Sequence, residues 1–275
     1  MNITAADVNK LRQITGAGMM DCKKALVESN GDYDAAIDIL RKKGQKVAAN
    51  RSDRDASEGL VIAKTTADGK RGVMIVLNCE TDFVAKNADF GNVANNILET
   101  AITNSPASLD DLKALNYTGT SLTINDKITE EIGKIGEKIE LSFYGVVSGE
   151  TVFCYNHPGN KLAAMAGFNK AINDEVAKDV AMQIAAMAPV ALDEKSVPQE
   201  VIEKEIEIGK ELAINEGKPA EMAEKIAMGR LTKFYKESTL LNQEFIKDNK
   251  LTVSQYIKTA DKDATVTEFK RFALN

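Results

Sequence analysis

The first apolar pattern of the chain has helical spacing. Val8, Leu11 and Ile14 recur every three residues, which places them along one face of a helix. Thr4 with Asp7 matches the capping pattern of a helix N-terminus. The stretch "TGAGM" that follows contains two glycines and interrupts the pattern. The chain is therefore predicted to open with one short helix.

Two more helices are predicted before residue 46. The second covers about residues 21–29 and stops at the "NG" pair. Asp32 is placed to cap a third helix over about 33–43, and Gly44 is predicted to end it. These elements predict a three-helix bundle over residues 1–46. The polar stretch that follows predicts a linker over residues 47–56.

The middle of the chain alternates strand-like and helix-like patterns. Two β-rich runs flank Asp68-Gly69, a pair favoured in tight hairpin turns, and a helix with an apolar face follows over about 88–103. Another helix is predicted over about 125–135. A second hairpin is then predicted to turn at Ser148-Gly149, followed by a third strand and a buried helix. The fold class is predicted to be α+β, with a two-part core over residues 57–138 and 139–275.

A segment of different character lies within the second part of this core. Residues 197–237 carry two charged helical patterns joined by "GKP", which predicts a protruding antiparallel helical hairpin. The stripes predicted to pack between the two helices contain Val201, Ile208 and Leu212 in the first, with Ile202 and Ala213 beside them, and Ala223, Ile226, Ala227, Arg230 and Phe234 in the second. The chain is predicted to close with a short helix and a last strand.

Composition narrows the class of protein. Three widely spaced cysteines favour a reducing cytosol, and no apolar leader or run of eighteen apolar residues is present, so we expect a cytoplasmic protein without membrane contact. A net charge of −6 argues against a specific nucleic acid partner. The basic run from Arg41 to Arg54 is interpreted as a solvated linker, with contact to an acidic partner or RNA as the alternative.

Catalytic chemistry has little support in the residues. His157 is the only histidine, and "GAGMMDCKK" lacks the spacing of a phosphate-binding loop. Acidic residues are frequent in the helical hairpin, at positions expected to face solvent. We therefore expect a protein that acts by binding, with no cofactor, metal or small-molecule substrate.

Two apolar features have two interpretations each. Met19 and Met20 could fill the core of the bundle, but adjacent methionines at a helix start cannot both face inward, and methionine suits adaptable binding surfaces. Phe83 follows a predicted buried strand in "CETDFVAKN". It is either a core residue or an exposed anchor for a pocket in a partner.

Three stretches resemble a known family. "LRQITGAGMMDCKKALVESNGDYDAAIDILRKKG" and "VLNCETDFVAKN" resemble the two signature stretches of bacterial elongation factor Ts, and "EGKPAEMAEKIAMGRLTKFYKESTLLNQEFIKD" resembles the helical hairpin of that family and the segment after it. The resemblance runs in order to about Asp248, and the last strand is also similar. It implies a guanine-nucleotide exchange factor for the GTPase elongation factor Tu, and a ubiquitin-associated-like first domain.

The resemblance also implies roles for individual residues. Asp82 and Phe83 would reach the GTPase near its magnesium and switch elements. The other implied contacts are Leu11, Arg12, Met19, Met20 and Lys23 in the first domain, and Ile135, Gly136, His157, Phe245 and Ile246 in the core.

Departures from the family and alternative functions remain open. Glu80 stands where many members have glutamine, and the chain ends at "FKRFALN" where some members continue into a further helical module. The alternatives are a scaffold that dimerises through the helical hairpin, a small-molecule enzyme, and a binder of ubiquitin-like partners.

Overall fold

The chain contains both helices and strands, which is consistent with the predicted α+β class. The computed structural model describes residues 3–274, with the side chain of Ala220 excepted. The helices are α1 (Ala5–Thr15), α2 (Met19–Glu28), α3 (Tyr33–Asn50), α4 (Asp82–Ala85), α5 (Ala88–Asn104), α6 (Leu109–Ala114), α7 (Ile124–Ile135), α8 (Asp174–Met187), α9 (Gln199–Asn215), α10 (Ala220–Ser238) and α11 (Val253–Ala260). The strands are β1 (Glu58–Thr65), β2 (Arg71–Cys79), β3 (Ile139–Ser148), β4 (Thr151–Asn156), β5 (Leu162–Phe168), β6 (Glu244–Phe245), β7 (Asp248–Thr252) and β8 (Val266–Ala273).

The chain forms two compact units. Residues 3–62 and 75–144 belong to the first unit, and residues 63–74 and 145–273 belong to the second. The domain boundaries predicted from the sequence, at 46, 56 and 138, stay predictions. None of the helices within residues 3–274 has both the length and the apolar composition that a bilayer crossing requires.

The first three helices enclose a small core. Leu11, Cys22 and Leu26 are fully buried there, together with Val8, Ala17, Ala25 and Ala36. The predicted capping box of α1 is present, since Thr4 accepts from the backbone of Asp7 and the Asp7 carboxylate accepts in return. Ile14, predicted on the same stripe, lies instead in solvent.

The end predicted for α3 was wrong. The helix continues through Gly44 to Asn50, seven residues beyond the predicted stop. Gly44 is buried against α7, where an added β-carbon would lie 3.0 Å from the carbonyl oxygen of Thr129. A tertiary contact, and not a helix stop, is therefore the reason for a glycine at this position.

The sheets differ from the prediction at one connection. The first sheet has the order β1-β2-β3 and the second has the order β4-β5-β8. The predicted hairpin at Ser148-Gly149 was therefore wrong, because β3 lies beside β2 while β4 pairs antiparallel with β5, with Cys154 opposite Met165. The two strands follow each other in sequence but join different sheets. α4, α6, β6 and β7 were not predicted.

Helix packing in each unit follows the apolar faces. In the first unit α5 buries its whole predicted face, which confirms Phe90, Val93, Ala94, Ile97 and Leu98. In the second unit α8 packs on β4 and β5, and its buried side chains join those of Phe168, Leu240 and Ile257 in one core.

The two charged helices α9 and α10 contact each other through small residues. Ala213 and Ala227 are fully buried, and a β-carbon on Gly209 would lie 3.0 Å from the Cα of Ala227. This close approach leaves no space for large side chains. Ile208 and Leu212, predicted in the packing stripe, are 39% and 41% exposed and therefore only partly covered.

Candidate partner-binding site

Phe83 projects from the first unit into solvent. It lies in α4, a four-residue helix that follows the buried strand β2, and 82% of its surface is exposed. Thr81 caps α4 by accepting from the backbone N–H of Val84 at 3.4 Å. None of the α4 residues is buried. Of the two interpretations left open by the sequence, the core position is therefore excluded and the exposed position is observed.

Asp82 lies beside Phe83 with part of its carboxylate exposed. The Nζ of Lys86 lies 2.6 Å from its Oδ2, one turn along the chain. This hydrogen bond and the charge of Asp82 raise the pKa of the Lys86 ammonium. The segment thus presents a carboxylate and an ammonium next to an exposed aromatic ring.

Thr81, the residue before α4, is held by hydrogen bonds to the side chain of Glu137, a contact that the sequence did not indicate. The Glu137 carboxylate accepts from the backbone N–H of Thr81 at 3.1 Å and from its hydroxyl at 2.7 Å. Glu137 directly follows Ile135 and Gly136, two of the predicted contact residues. The structure therefore brings the predicted end of α7 next to the segment that carries Phe83.

A second unpredicted contact lies one residue earlier. The guanidinium of Arg51 donates to both carboxylate oxygens of Glu80, at 2.8 and 3.0 Å. These residues are separated by 29 positions in the sequence. A local pattern could indicate the extra charge at Glu80, but it could not indicate its partner.

Cys79 ends β2 beneath this segment and is fully buried. Burial raises the pKa of its thiol to about 12, and the nearby charge of Glu137 acts in the same direction. The thiol donates to the carbonyl oxygen of Thr81 at 3.1 Å. Cys79 is therefore a neutral packing residue at neutral pH, because a thiol with this pKa forms almost no thiolate.

The second predicted contact region lies on α1 and α2. Met20 and Met19 are 64% and 53% exposed, so both methionines face solvent and neither fills the core. Arg12 and Lys23 are exposed as well. Together with Ile14 and Val27, they are the exposed apolar and basic side chains of α1 and α2 that we call the N-terminal patch.

A recess adjoins the N-terminal patch within the same unit. Its volume is about 360 Å³. Its lining includes Ile14, Ala17 and Leu40 from the first three helices, and Leu122 and Lys134 from the region of α7. The lining also contains the charged side chains of Asp21, Arg41, Lys43 and Glu130, so the recess next to the exposed Ile14 is of mixed polar and apolar character.

Two predicted contact residues have no side chain available to a partner. Leu11 is completely buried in the core of the first three helices. Phe245 is 2% exposed and its ring stacks on Tyr256 with the centroids 3.9 Å apart. The assignment of both residues as partner contacts stays a prediction, although both side chains are buried in the free protein.

The remaining predicted residues are accessible to different degrees. Ile135 and Gly136 are partly buried, and Gly136 ends α7 in the left-handed conformation with φ of 80°. His157 is exposed in the second unit, with its Nδ1 2.9 Å from the hydroxyl of Tyr155. Ile246 is also exposed there, and its N–H donates to Gln183. Within residues 3–274 no cluster of histidine, cysteine and acidic side chains has the arrangement of a metal site.

Comparison with known proteins gives a consistent result over the full chain. The family model described as elongation factor TS matches residues 80–275. The chain is 54% identical over 274 residues to elongation factor Ts of Christiangramia forsetii, which covers 99% of this chain and 98% of that protein. It is 52% identical over 275 residues to elongation factor Ts of Porphyromonas gingivalis, with 100% and 99% covered. It is 53% identical over 274 residues to elongation factor Ts of Amoebophilus asiaticus, with 98% of each covered. With a signature segment that presents Asp82 and Phe83 at the surface and relatives that match from end to end, the chain belongs to the elongation factor Ts family.

Proposed function

We propose that this protein is a guanine-nucleotide exchange factor that acts in translation elongation in the cytoplasm. It binds elongation factor Tu with bound GDP and promotes GDP release by disturbing the magnesium and phosphate sites. The observation that carries the proposal is the position of Phe83. A large aromatic side chain in solvent, on a capped turn beyond a buried strand, is the form expected of an anchor that enters a partner.

Burial of Phe83 alone cannot supply the free energy that nucleotide release requires. Nanomolar binding of a nucleotide corresponds to about 12 kcal/mol. Burial of one phenylalanine side chain contributes about 1.5–3 kcal/mol. A broad interface must therefore supply most of the free energy, and part of it holds Phe83 and Asp82 against the nucleotide site.

The N-terminal patch is the proposed main contact in the first unit. Exposed methionines adapt their shape to a partner surface, and Arg12 and Lys23 of this patch can pair with acidic groups. His157 and Ile246 are proposed contacts of the second unit. We also propose that α1–α3 form a ubiquitin-associated-like domain, and that α9 and α10 form a coiled-coil hairpin.

The proposed mechanism makes and breaks no covalent bond. The magnesium and phosphate sites belong to the GTPase, whose backbone N–H groups and metal hold the nucleotide. By linkage, bound nucleotide weakens the binding of the exchange factor by the same factor as the exchange factor weakens nucleotide binding. This protein therefore acts as a catalyst of exchange and not as an enzyme in the usual sense.

The experiment that tests the function is GDP release from elongation factor Tu. A fluorescent GDP is bound to the GTPase, and its release is followed by stopped flow with and without this protein. We expect a large acceleration that saturates with concentration. Release at the same rate in both mixtures would overturn the proposal.

A second candidate function has support from the helical hairpin. Ile208, Leu212 and Met228 are exposed apolar residues on α9 and α10, and such residues can mediate pairing of two copies. Light scattering after size exclusion would show a dimer if the hairpin pairs two molecules. A monomer at all concentrations would remove this candidate and leave the exchange function unaffected.

A further inference from the structure

Helix α3 ends at the base of the segment that carries Phe83. The helix begins in the N-terminal core, packs on α7 and ends at Asn50. The next residue, Arg51, directs its guanidinium to Glu80. The Glu80 side chain is 13% exposed and the Arg51 side chain is 30% exposed, so the pair is largely shielded from water. Shielding from water makes a hydrogen-bonded ion pair stronger than one on an open surface.

Glu80 has further partners besides Arg51, since Nη1 of Arg54 lies 3.6 Å from its Oε2. The backbone N–H of Lys138 donates to its Oε1 at 2.6 Å. The Nζ of Lys138 in turn donates to the carbonyl oxygens of Ser52 and Arg54, both at 3.0 Å. One carboxylate therefore connects the chain after α3 with the chain after α7. We call this set of contacts, made by Arg51, Glu80 and Lys138, the Glu80 clamp.

The position of Phe83 depends on the residues around it, because its own side chain makes little contact with the rest of the protein. The α4 residues bury no side chain, and Phe83 itself lies in solvent. The two residues before α4 carry the hydrogen bonds that fix its position: Glu80 in the clamp, and Thr81 on Glu137. A side chain on a loop reaches a defined place only when packing and hydrogen bonds lock the residues beneath it.

We infer that Arg51 is a positioning residue for Phe83, acting through Glu80. The N-terminal patch lies on α1 and α2, which share a core with α3, and the Glu80 clamp lies at the C-terminal end of α3. A partner that docks on the patch is therefore held in a fixed relation to Phe83 as long as the clamp is intact. This inference rests on the proposed function for its role in exchange, but its structural content is independent of the partner.

The structural content can be measured on the protein alone. The chain has no tryptophan, so Phe83→Trp introduces a single fluorescent reporter at the tip of the segment. In that background, we expect Arg51→Ala to lower the time-resolved anisotropy of the reporter, because the segment gains motion on the nanosecond scale. Arg51→Lys should restore part of the anisotropy, because it keeps a positive charge but loses the planar guanidinium whose Nη1 donates to both oxygens of Glu80.

A matched control lies on the same helix. Lys46 is exposed on α3, and Lys46→Ala removes one positive charge without touching Glu80. This control should leave the anisotropy unchanged. If Arg51→Ala also leaves it unchanged, the clamp does not position Phe83 and the inference is wrong.

The effect of the Glu80 clamp on nucleotide exchange is tested with the same substitutions in the protein that keeps Phe83 and not tryptophan at this position. In the GDP-release assay, Arg51→Ala should lower the maximal release rate by about 2- to 30-fold, the range expected when a coupling residue is lost. The half-saturating concentration should change little, because the N-terminal patch is intact. A role limited to folding would instead lower the amount of active protein and leave the maximal rate per active molecule unchanged.

Glu80→Gln provides an independent variant with a mild change. It keeps an acceptor for the N–H of Lys138 but removes the charge that Arg51 contacts. We expect it to lower the maximal rate, and we expect Arg51→Ala with Glu80→Gln to be no slower than the worse single variant. Additive losses would contradict the pairing. If the wild-type protein fails to accelerate GDP release, the proposed function fails, while the anisotropy result still decides whether the clamp holds Phe83.

Discussion

The backbones of Gly44 in α3 and Gly133 in α7 are in direct contact where the two helices cross. A β-carbon on Gly133 would lie 2.8 Å from the Cα of Gly44, closer than a carbon atom can approach without displacement. The crossing therefore requires glycine on the α7 side. It packs the N-terminal helices on α7, the helix whose end lies beside Glu137 and the segment of Phe83.

Gly133→Ala should destabilise the first unit. The added methyl group forces the helices apart, and overpacking of this kind costs about 1–3 kcal/mol. Urea unfolding followed by circular dichroism measures the loss. The matched control is Gly91→Ala in α5, where an added β-carbon meets nothing within 4 Å. Since alanine favours the helix, that variant should gain roughly 0.5–1 kcal/mol. Equal effects of the two substitutions would contradict the tight crossing.

The Glu80 clamp predicts a pH dependence of stability. The N–H of Lys138, and also the hydrogen bond and charge of Arg51, hold the pKa of the Glu80 carboxyl below its ordinary value of about 4.5. The native state therefore binds this proton more weakly than the unfolded state. The stabilising effect of the ionised Glu80 carboxylate is present above pH 4.5 and is lost as the pH falls through the lowered pKa.

Unfolding curves of the wild type and Glu80→Gln at several pH values test this dependence. The wild type should be more stable near neutral pH, and the difference should shrink as the pH is lowered below the ordinary pKa of glutamate. A constant difference over this range would show that the ionised carboxylate does not contribute.

Met20→Ala and Arg12→Ala should weaken the complex with elongation factor Tu. Both side chains are exposed, so truncation leaves the core of α1–α3 intact. Loss of a side chain that contributes to an interface costs more than about 1 kcal/mol, or about fivefold in affinity. Isothermal titration calorimetry measures the change. Met187→Ala is the control, since Met187 is 47% exposed at the end of α8 in the second unit. Equal affinity of all three variants would remove the N-terminal patch from the interface.

Tyr256 should resist ionisation at high pH. Burial, and then its hydrogen bond of 2.8 Å to the carboxylate of Asp179, raise the pKa of the phenol well above its ordinary value. The native state therefore keeps this proton more tightly than the unfolded state. The stabilising effect is complete below about pH 10 and is lost as the pH rises further. Alkaline unfolding of Tyr256→Phe, compared with the wild type, should show a shallower decline; parallel curves would contradict the assignment.

A local sequence pattern could predict the parts of the fold that depend on interactions between neighbouring residues of the chain. The apolar face of α5 and the caps at Thr4 and Asp32 follow from spacing and side-chain chemistry within one helix. Gly44 was misread as a helix stop because its reason is the contact with the carbonyl oxygen of Thr129 in α7, far away in the sequence. The pairing of β3 with β2 likewise depends on the sheet and not on the turn after Ser148.

The sequence predicted which regions carry the candidate site, but it did not predict which side chains in those regions face solvent. A resemblance assigns a residue to a region, and it cannot show that Leu11 and Phe245 point into their cores. It also could not show that Met19 and Met20 both face solvent. The Arg51–Glu80 pair was missed for the same reason as the glycine crossing, because only the folded chain brings the two side chains together.

The central claim is that Phe83 acts on a partner and not on its own fold. Because Phe83 is 82% exposed, Phe83→Ala should leave the unfolding curve unchanged. The direct measurement is the maximal rate of GDP release from elongation factor Tu at saturating protein, by stopped flow. We predict that Phe83→Ala lowers this rate by at least about tenfold, the loss expected from one buried phenylalanine, while the complex still forms. A maximal rate equal to that of the wild type would contradict the claim.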